Sequence, residues 1–299
     1  MSRSHLALAE DRALDDDRVP ARPFLKWAGG KWAIAHRIED LLPHDVRDRV
    51  YREPFLGGGA MFFHLQPRRA VLSDSLVDLV DTYRVVQRGV GALITHLERL
   101  RATHSPEQFY QVRADFNEKK ETPRVQRAAW LIYLNKTCFN GLFRTNRDGA
   151  FNVPVGRFTN PGIADPITLR NASAVLSGAE LRREPFDHLL EHAEAGDTIY
   201  LDPPYVPLSR TASFCAYADG AFTLQDQARL ADVFRALDAR GCLLALSNSD
   251  TPEVRRLYAG YEISHIIAPR AISAKASTRG EVTELLIRNT ARYPRRPRR

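Results

Sequence analysis

The chain lacks the long apolar runs that anchor proteins in membranes. No stretch of its 299 residues approaches the roughly 20 consecutive apolar residues that a transmembrane helix needs. The first residues carry the charged run EDRALDDDR, where a secretory signal would need an apolar core. We therefore expect a cytoplasmic protein, and a content of 44% hydrophobic and 26% charged residues is typical of a globular one.

Cysteine is scarce. The cysteines Cys138, Cys215 and Cys242 are odd in number and widely spaced, which fits neither a disulfide framework nor a zinc site. We expect them to be reduced packing residues. No nucleophilic cysteine motif and no histidine and cysteine cluster is visible, so neither a metal site nor a covalent enzyme intermediate is predicted.

A strong excess of charge is also missing. Lys and Arg number 43 against 36 Asp and Glu, a formal net charge of +7. Five of these positive charges lie in the final RYPRRPRR, which its prolines keep from forming a helix. A basic balance suits a polyanionic partner, but the excess without this tail is small, so net charge alone argues weakly for nucleic acid.

The sequence does contain an interrupted α/β pattern. From Arg49 it runs through a strand (RVYRE), a glycine loop (PFLGGGA), a short helix (MFFHLQ) and a second strand (AVLSDS). From Tyr83 to about Ser173, amphipathic helical stretches lead into a loop-rich segment. Strands then resume at DTIYLDPPY, CLLALSNSD, YEISHIIA and VTELLIRN, with a helix at TLQDQARLADVFRALDARG. This predicts a discontinuous α/β domain interrupted by a helical insertion.

The apolar strand TIYL ends on Asp202, Pro203, Pro204 and Tyr205. Prolines cannot donate to a sheet ladder, so they lie past the carboxyl end of the strand and hold a rigid loop there. In α/β sheets this edge binds ligands. A strand-terminating turn with a solvated Asp202 is the alternative that these residues leave open.

A glycine turn follows an earlier strand. Glu53 ends that strand, and Gly57, Gly58 and Gly59 enter a helix, where glycine permits close approach of a ligand. Tight strand-to-helix connections use the same residues. However, the next strand ends at Asp74, which can bind a pair of ribose hydroxyls, so together they predict a nucleoside-bearing cofactor. The glycine spacing fits neither a dinucleotide fingerprint nor a Walker loop.

Two further loops offer binding groups. FLKWAGGKW provides Trp27 for apolar contact and Lys31 for a carboxylate, although a buried tryptophan and a solvated lysine are the plainer interpretation. Within the insertion, Asp148-Gly149 predicts a hairpin whose flanks carry arginines. A two-stranded ribbon of this kind fits the major groove of DNA, and the alternative is an exposed hairpin that its arginines keep soluble.

FLKWAGGK, EPFLGGGA, LSDS, NGLFR…FNVPVGR and DPPY occur in this order, and the chain thereby resembles DNA adenine N6-methyltransferases of the Dam type, the D12 class with alpha motif order. The resemblance covers about residues 23–290. It implies a Rossmann-like, S-adenosylmethionine-dependent methyltransferase fold with a mixed sheet and an inserted helical target-recognition domain carrying a β-hairpin. The expected parts are a disordered extension (1–22), a discontinuous catalytic domain (23–83 and 173–291), the target-recognition domain (84–172) and a basic tail (292–299).

The resemblance implies an S-adenosylmethionine site formed by Trp27, Lys31, Glu53, Phe55, Gly57, Gly59, Asp74, Phe186 and Asp202. In it, Lys31 and the glycine loop face the amino-acid part, Asp74 takes the ribose hydroxyls, and Phe186 lies beside the cofactor adenine. It also implies double-stranded DNA as the partner, no membrane, a monomer, a bacterial or phage cytoplasm, and functional pairing with a restriction endonuclease as one biological role.

The resemblance gives the Asp-Pro-Pro-Tyr loop a chemical purpose. Adenine N6 is a poor nucleophile because its lone pair is delocalised into the ring, so the base must be extruded and the nitrogen rehybridised. Asp202 and the Pro203 carbonyl would each accept one N6 hydrogen bond, Pro204 would stiffen the loop, and Tyr205 would stack on the base. Transfer would then be a direct in-line displacement.

The implied DNA-binding residues are Lys26, Phe139, Asn140, Leu142, Arg144, Arg147, Pro154, Arg157 and Phe158. For a GATC target, Lys26 contacts a base, Arg144 reads a guanine, and Leu142 and Pro154 touch a thymine methyl. Phe139 intercalates, and Asn140 meets the orphaned thymine.

Two positions depart from the family pattern, since Phe139 and Phe158 stand where the family commonly has tyrosine. Phe158 thereby loses a hydroxyl, so the first base pair is the one expected to be read loosely. Three alternatives remain: methylation of cytosine N4, methylation of adenine in ribosomal RNA, and a catalytically silent DNA-binding protein. The motif order and the insertion favour adenine in DNA, and an intact Asp74 and Asp202 argue against a silent protein.

Overall fold

The computed structural model describes residues 18–205, 222–269 and 281–294. Residues 1–17 of the expected N-terminal extension, Cys215 and residues 295–299 of the expected tail lie outside this part. Residues 18–22 of that extension are described, and the backbone of Val19 exchanges two hydrogen bonds with the Gln66 side chain, at 3.0 and 2.7 Å. In the described residues, no helix has both the length and the apolar character required to cross a membrane.

The secondary structure of the described residues follows the chain in this way. The helices are α1 (Ala35–Glu39), α2 (Ala60–Leu65), α3 (Val77–Ala102), α4 (Pro106–Glu118), α5 (Arg124–Thr137), α6 (Pro166–Leu176), α7 (Leu189–His192), α8 (Leu224–Arg240) and α9 (Pro252–Leu257). The strands are β1 (Val50–Glu53), β2 (Arg69–Asp74), β3 (Ala179–Arg183), β4 (Thr198–Leu201), β5 (Leu243–Ser249), β6 (Glu262–Pro269) and β7 (Glu281–Arg288). Single 3-10 turns occupy Trp32–Ile34, Phe139–Gly141, Phe186–His188 and Thr290–Arg292.

The strands form one seven-stranded sheet in the order β3-β2-β1-β4-β5-β7-β6. The first five strands of this order are parallel, and β7 runs antiparallel to β5 and β6. This confirms the predicted α/β mixed sheet. Strand order reverses between β1 and β4, the place where open α/β sheets leave a crevice for ligands. Strand β3 is not predicted from the sequence, because its pattern AELRR alternates over only five residues.

Burial explains why the central strands are apolar. Every residue of β4 and of β5 is buried, as expected for parallel strands covered on both faces. Helix α8 has clear local end signals: Thr223 and Asp226 form a capping box at its start, and Gly241 (φ +94) ends it.

The insertion is helical, as expected. The predicted helices appear as α4 and α5, and α3 packs along α5 and α6. The expected domain boundaries at 83/84 and 172/173 fall inside helices α3 and α6, and both helices continue past them. The division of the chain into domains therefore stays a prediction.

The predicted hairpin is present, but its ribbon is reduced in the described residues to two isolated bridges, Cys138 with Val155 and Thr145 with Phe151. The turn at Asp148-Gly149 forms, with Gly149 at φ +75. The bridge of Thr145 with Phe151 has both flanking ladder bonds, from the Asn146 N–H to the Ala150 carbonyl at 2.9 Å and from the Asn152 N–H to the Arg144 carbonyl at 3.1 Å. The backbone N–H and C=O of Phe151 face away from this partner strand and bond to Asn117 of α4, at 2.8 and 3.0 Å. Between the two bridges, Pro154 has no N–H to donate to a ladder.

Candidate functional site

Three acidic residues meet at one edge of the sheet. Glu53 ends β1, Asp74 ends β2, and Asp202 follows β4 directly. Because β1 pairs in parallel with both β2 and β4, the carboxyl ends of the three strands lie side by side. The structure thus brings together residues that the sequence places up to 149 positions apart.

Glu53 lies beneath this edge, fully enclosed. Its Oε2 accepts hydrogen bonds from the Tyr51 hydroxyl at 2.9 Å and from the Phe62 N–H at 3.1 Å, so it ties β1 to the start of α2. Burial, with a contribution from the Asp202 carboxylate, raises the pKa of Glu53 to about 8. At neutral pH this group is therefore largely protonated.

The glycine turn follows β1 and needs its glycines. Gly57 (φ +47) donates its N–H to Asp74 Oδ2 at 3.1 Å, and a Cβ at Gly57 would lie 2.8 Å from Trp27 Cδ1. Gly59 (φ +65) leaves a Cβ only 2.8 Å from the Tyr83 hydroxyl. Both positions combine a left-handed backbone with close packing, which only glycine tolerates. Burial raises the pKa of Asp74, although backbone N–H bonds oppose the rise.

An aromatic wall stands beside the turn. Phe55 stacks on Phe186 with ring centroids 5.5 Å apart, and Phe222 packs edge-on against Phe55 at 5.7 Å. The Arg229 guanidinium lies 4.9 Å from the centroid of the Phe186 ring. This wall offers flat apolar surface suited to a purine ring. Phe222 and Arg229 are not predicted from the sequence, because only the fold brings the start of α8 to the end of β3.

The Asp-Pro-Pro-Tyr loop is built around Lys31. The Lys31 ammonium lies 3.0 Å from Asp202 Oδ1 and 4.7 Å from the centroid of the Tyr205 ring, and it also donates to the Gly29 carbonyl. Burial raises the pKa of Asp202, and the Lys31 charge opposes the rise. Lys31 is only 3% exposed, so the plain interpretation of a solvated lysine is wrong.

Neighbouring elements hold the rest of the loop. Gln227 of α8 donates to the Pro204 carbonyl at 2.8 Å and accepts from the Asn248 amide at 3.0 Å. The Tyr205 hydroxyl donates to Glu284 Oε2 at 2.9 Å. None of these three partners is predicted from the sequence, where they look like ordinary polar residues of a helix and of two strands.

The expected DNA-contacting residues form a surface beside this edge. The Phe139 N–H donates to the Pro154 carbonyl at 2.9 Å, which joins the two halves of the insertion loop. The Lys26 ammonium lies 4.1 Å from the centroid of the Phe158 ring. Phe139 and Phe158 are 46% and 38% exposed, which is unusual for large aromatic side chains. Asn140 lies between them at φ +56.

The other side chains expected to contact DNA differ in exposure and in hydrogen bonding. Arg144 is exposed but oriented, since its Nε donates to Asn152 Oδ1 at 2.8 Å. Leu142 is half-buried, and Arg147 and Arg157 are exposed. We name the surface formed by these residues together with Lys26, Phe139, Asn140, Pro154 and Phe158 the insertion surface.

Two buried contacts attach the insertion surface to the sheet edge. Asn135 of α5 binds the backbone N–H and C=O of Lys26, at 2.8 and 2.7 Å. The next residue, Trp27, stacks on Phe143 of the insertion, with ring centroids 5.6 Å apart. Consecutive residues therefore serve the two regions: Lys26 belongs to the insertion surface and Trp27 covers the glycine turn.

A small polar cluster lies at the protein surface after β3. Glu184, His188 and His192 each place one potential metal-ligand atom within 4.8 Å of the others. Both imidazoles already lie 3.9 Å from the Glu191 carboxylate. This grouping is not predicted from the sequence, although its members recur at intervals of four residues.

Comparison with known proteins agrees with this geometry. The model of the family "D12 class N6 adenine-specific DNA methyltransferase" matches residues 27–272. The chain is 41% identical to Type II methyltransferase M.MjaIII of Methanocaldococcus jannaschii, over 91% of this chain and 100% of that protein. It is 34% identical to the DNA adenine methylase of Escherichia coli K12, over 89% of this chain and 94% of that protein. With a family match across most of its length and relatives of this identity and coverage, the chain belongs to the D12 class of N6 adenine-specific DNA methyltransferases.

Proposed function

We propose that this methyltransferase transfers a methyl group from S-adenosylmethionine to N6 of adenine within GATC in duplex DNA, by extruding the base and by direct in-line transfer. The observation that carries this proposal is the convergence at one sheet edge of the Asp202 loop, the glycine turn and Asp74, with the insertion surface beside them. The names of the relatives, one a DNA adenine methylase and one a Type II methyltransferase, support the same substrate class.

The residues at the edge fit an S-adenosylmethionine site. The cofactor supplies a methyl group on a positively charged sulfur. Asp74 presents a partly exposed carboxylate suited to ribose hydroxyls, and the wall of Phe55 and Phe186 suits an adenine ring. Trp27 and the turn of Gly57 and Gly59 would border the amino-acid part, whose carboxylate Lys31 would attract. Glu53, which lies beneath the sheet edge, would hold the glycine turn in place.

The loop residues would then prepare the target nitrogen. Asp202 and the Pro203 carbonyl each accept one hydrogen bond from the N6 amine, which frees the nitrogen lone pair to attack the methyl group. Lys31 already occupies one oxygen of Asp202, but a carboxylate has about four acceptor positions, so the base amine and the lysine can share it. Pro204 limits loop motion, and Tyr205 stacks on the extruded base.

The insertion surface would supply sequence recognition. Arg144, whose Nε donates to Asn152, would read a guanine, and Leu142 and Pro154 would touch a thymine methyl. Lys26 would contact a base, and Arg147 and Arg157 would add backbone or base contacts. Phe139 would enter the space left by the extruded base, with Asn140 facing the orphaned thymine.

Phe158 has no hydroxyl to offer a base. We infer that the first base pair of the target is read less strictly than the other three. A restriction endonuclease of the same target is the proposed functional partner, because relatives are named Type II methyltransferases. The expectation of a monomer stays a prediction.

The test is methyl transfer from labelled S-adenosylmethionine to unmethylated duplexes with and without GATC, followed by nucleoside analysis. We expect N6-methyladenine in the GATC duplex only. Duplexes changed one base pair at a time should show the largest tolerance at the first pair. Label in cytosine, in RNA alone or in no substrate would contradict the proposal.

Two variants separate chemistry from recognition. Asp202→Ala should abolish transfer while leaving DNA affinity intact, because the reacting amine is the only part of the DNA that the carboxylate would contact. Arg144→Ala should instead relax discrimination at one base pair, by about 1–3 kcal/mol. Transfer by the Asp202→Ala variant at the wild-type rate would show that the loop has been given the wrong role.

A further inference from the structure

Glu284 lies at the sheet edge that carries the site because of the direction of strand β7. In the sheet, β7 runs antiparallel to β5, and its register pairs Glu284 with Ser249, the last residue of β5. An early residue of β7 therefore reaches the edge where the parallel strands end. The residues that follow Glu284 on β7, Leu285 to Arg288, are all buried, whereas the Glu284 side chain keeps 17% of its surface exposed toward the site.

The Glu284 carboxylate contacts the Asp-Pro-Pro-Tyr loop at the Tyr205 hydroxyl. Its Oε2 accepts a hydrogen bond from the Tyr205 hydroxyl at 2.9 Å. The same oxygen lies 3.8 Å from the Lys31 ammonium, which in turn lies 3.0 Å from Asp202 and 4.7 Å from the Tyr205 ring centroid. One lysine thus lies between two carboxylates and against the face of the tyrosine.

We propose that Glu284 is a positioning residue of the transfer reaction, which acts by holding the Tyr205 ring in the orientation that receives the target base. This inference rests on the proposed function. A tyrosine side chain has two rotatable bonds, and a bond from its hydroxyl to a fixed strand removes most of that freedom before the base arrives. A hydrogen bond to a charged acceptor is stronger than a neutral one, so this restraint is substantial.

The experiment is a double-mutant cycle on the full chain with Glu284→Ala, Tyr205→Phe and the combined variant. Tyr205→Phe keeps the stacking ring and removes only the hydroxyl. Readouts are kcat and KM for an adenine-containing duplex, and the fluorescence of 2-aminopurine placed at the target adenine, which reports how the extruded base is stacked. Glu284→Gln, whose amide oxygen still accepts a hydrogen bond, tests conservative rescue, and Glu98→Gln on the exposed face of α3 is the matched control.

We expect Glu284→Ala and Tyr205→Phe each to lower kcat by about 10-fold, with an altered 2-aminopurine signal and little change in KM for DNA. The combined variant should be no worse than about 2-fold below either single variant, because both remove the same hydrogen bond. Glu284→Gln should recover most of the rate, and Glu98→Gln should match the wild type.

A wild-type kcat in Glu284→Ala, or losses that multiply in the combined variant, would overturn the inference. Should Glu284→Ala fold poorly in a thermal melt, Glu284→Met, which fills a similar volume without a carboxylate to accept the Tyr205 hydrogen bond, replaces it in the cycle under the same criterion. A wild-type chain that methylates no adenine would instead refute the proposed function, so the two failures are distinguishable.

Discussion

Glu53 should make this protein less stable as pH rises through the neutral range. Its carboxyl group is buried below the glycine turn and bonded to Tyr51 and to the backbone of Phe62. Burial, together with Asp202, raises its pKa to about 8 from an ordinary value of 4.5. Between these two values the unfolded chain has released a proton that the folded protein still holds, so rising pH favours the unfolded chain.

The magnitude follows from that proton. Each pH unit in the interval costs about 1.4 kcal/mol of unfolding free energy. Integrated from about pH 5 to about pH 7.5, with the curvature near each pKa included, the loss is about 3 kcal/mol. At pH values below the pKa of Glu53 in the unfolded chain, its stabilising contribution is fully present. Above its pKa in the folded protein, the loss of stability levels off because Glu53 is ionised in both states.

The variant Glu53→Gln isolates this effect. Glutamine keeps the shape and one acceptor oxygen for Tyr51 and Phe62 but does not titrate. Urea unfolding of the cofactor-free wild type and variant across this pH range should show the wild type falling by about 3 kcal/mol relative to the variant. Asp74 titrates in both proteins, so its contribution cancels, whereas the repulsion between Glu53 and Asp202 is part of the measured difference. The reasoning would be refuted if the free energies of unfolding of the two proteins changed in parallel with pH, or if the wild type gained stability relative to the variant as pH rose.

Two further substitutions are tested by urea unfolding and methyl-transfer kinetics. Gly57→Ala should destabilise the fold more than Gly149→Ala: both positions have positive φ, worth about 1–2 kcal/mol, but only a Cβ at Gly57 meets a neighbour, 2.8 Å away in Trp27. Equal losses would contradict the assigned contact. Gln227→Ala should cost about 1–3 kcal/mol and lower kcat, since it leaves the Pro204 carbonyl without its amide donor. An unchanged kcat would show that this bond is structural only.

Much of the site could be read from local sequence patterns. Two prolines after TIYL must lie beyond a strand, and Asp202 must then lie at the sheet edge. The glycines of the turn and the acid that ends β2 follow from the same local chemistry. These features are predictable because each depends on a few consecutive residues, and the helix from Thr223 to Gly241 was recognisable from its caps for the same reason.

Other features depend on which distant segments the fold brings together. The sequence by itself determined where the described strands other than β3 lie along the chain, the rigid loop after β4 and the acids and glycines at the strand ends. Only the tertiary structure decided that Lys31 neutralises Asp202, that Asn117 binds the backbone of Phe151, and that Glu284, 79 residues after Tyr205, holds its hydroxyl. The physical reason is that a strand's neighbours and direction in a sheet come from packing of the whole chain, and β7 reaches the site only because it runs antiparallel beside β5.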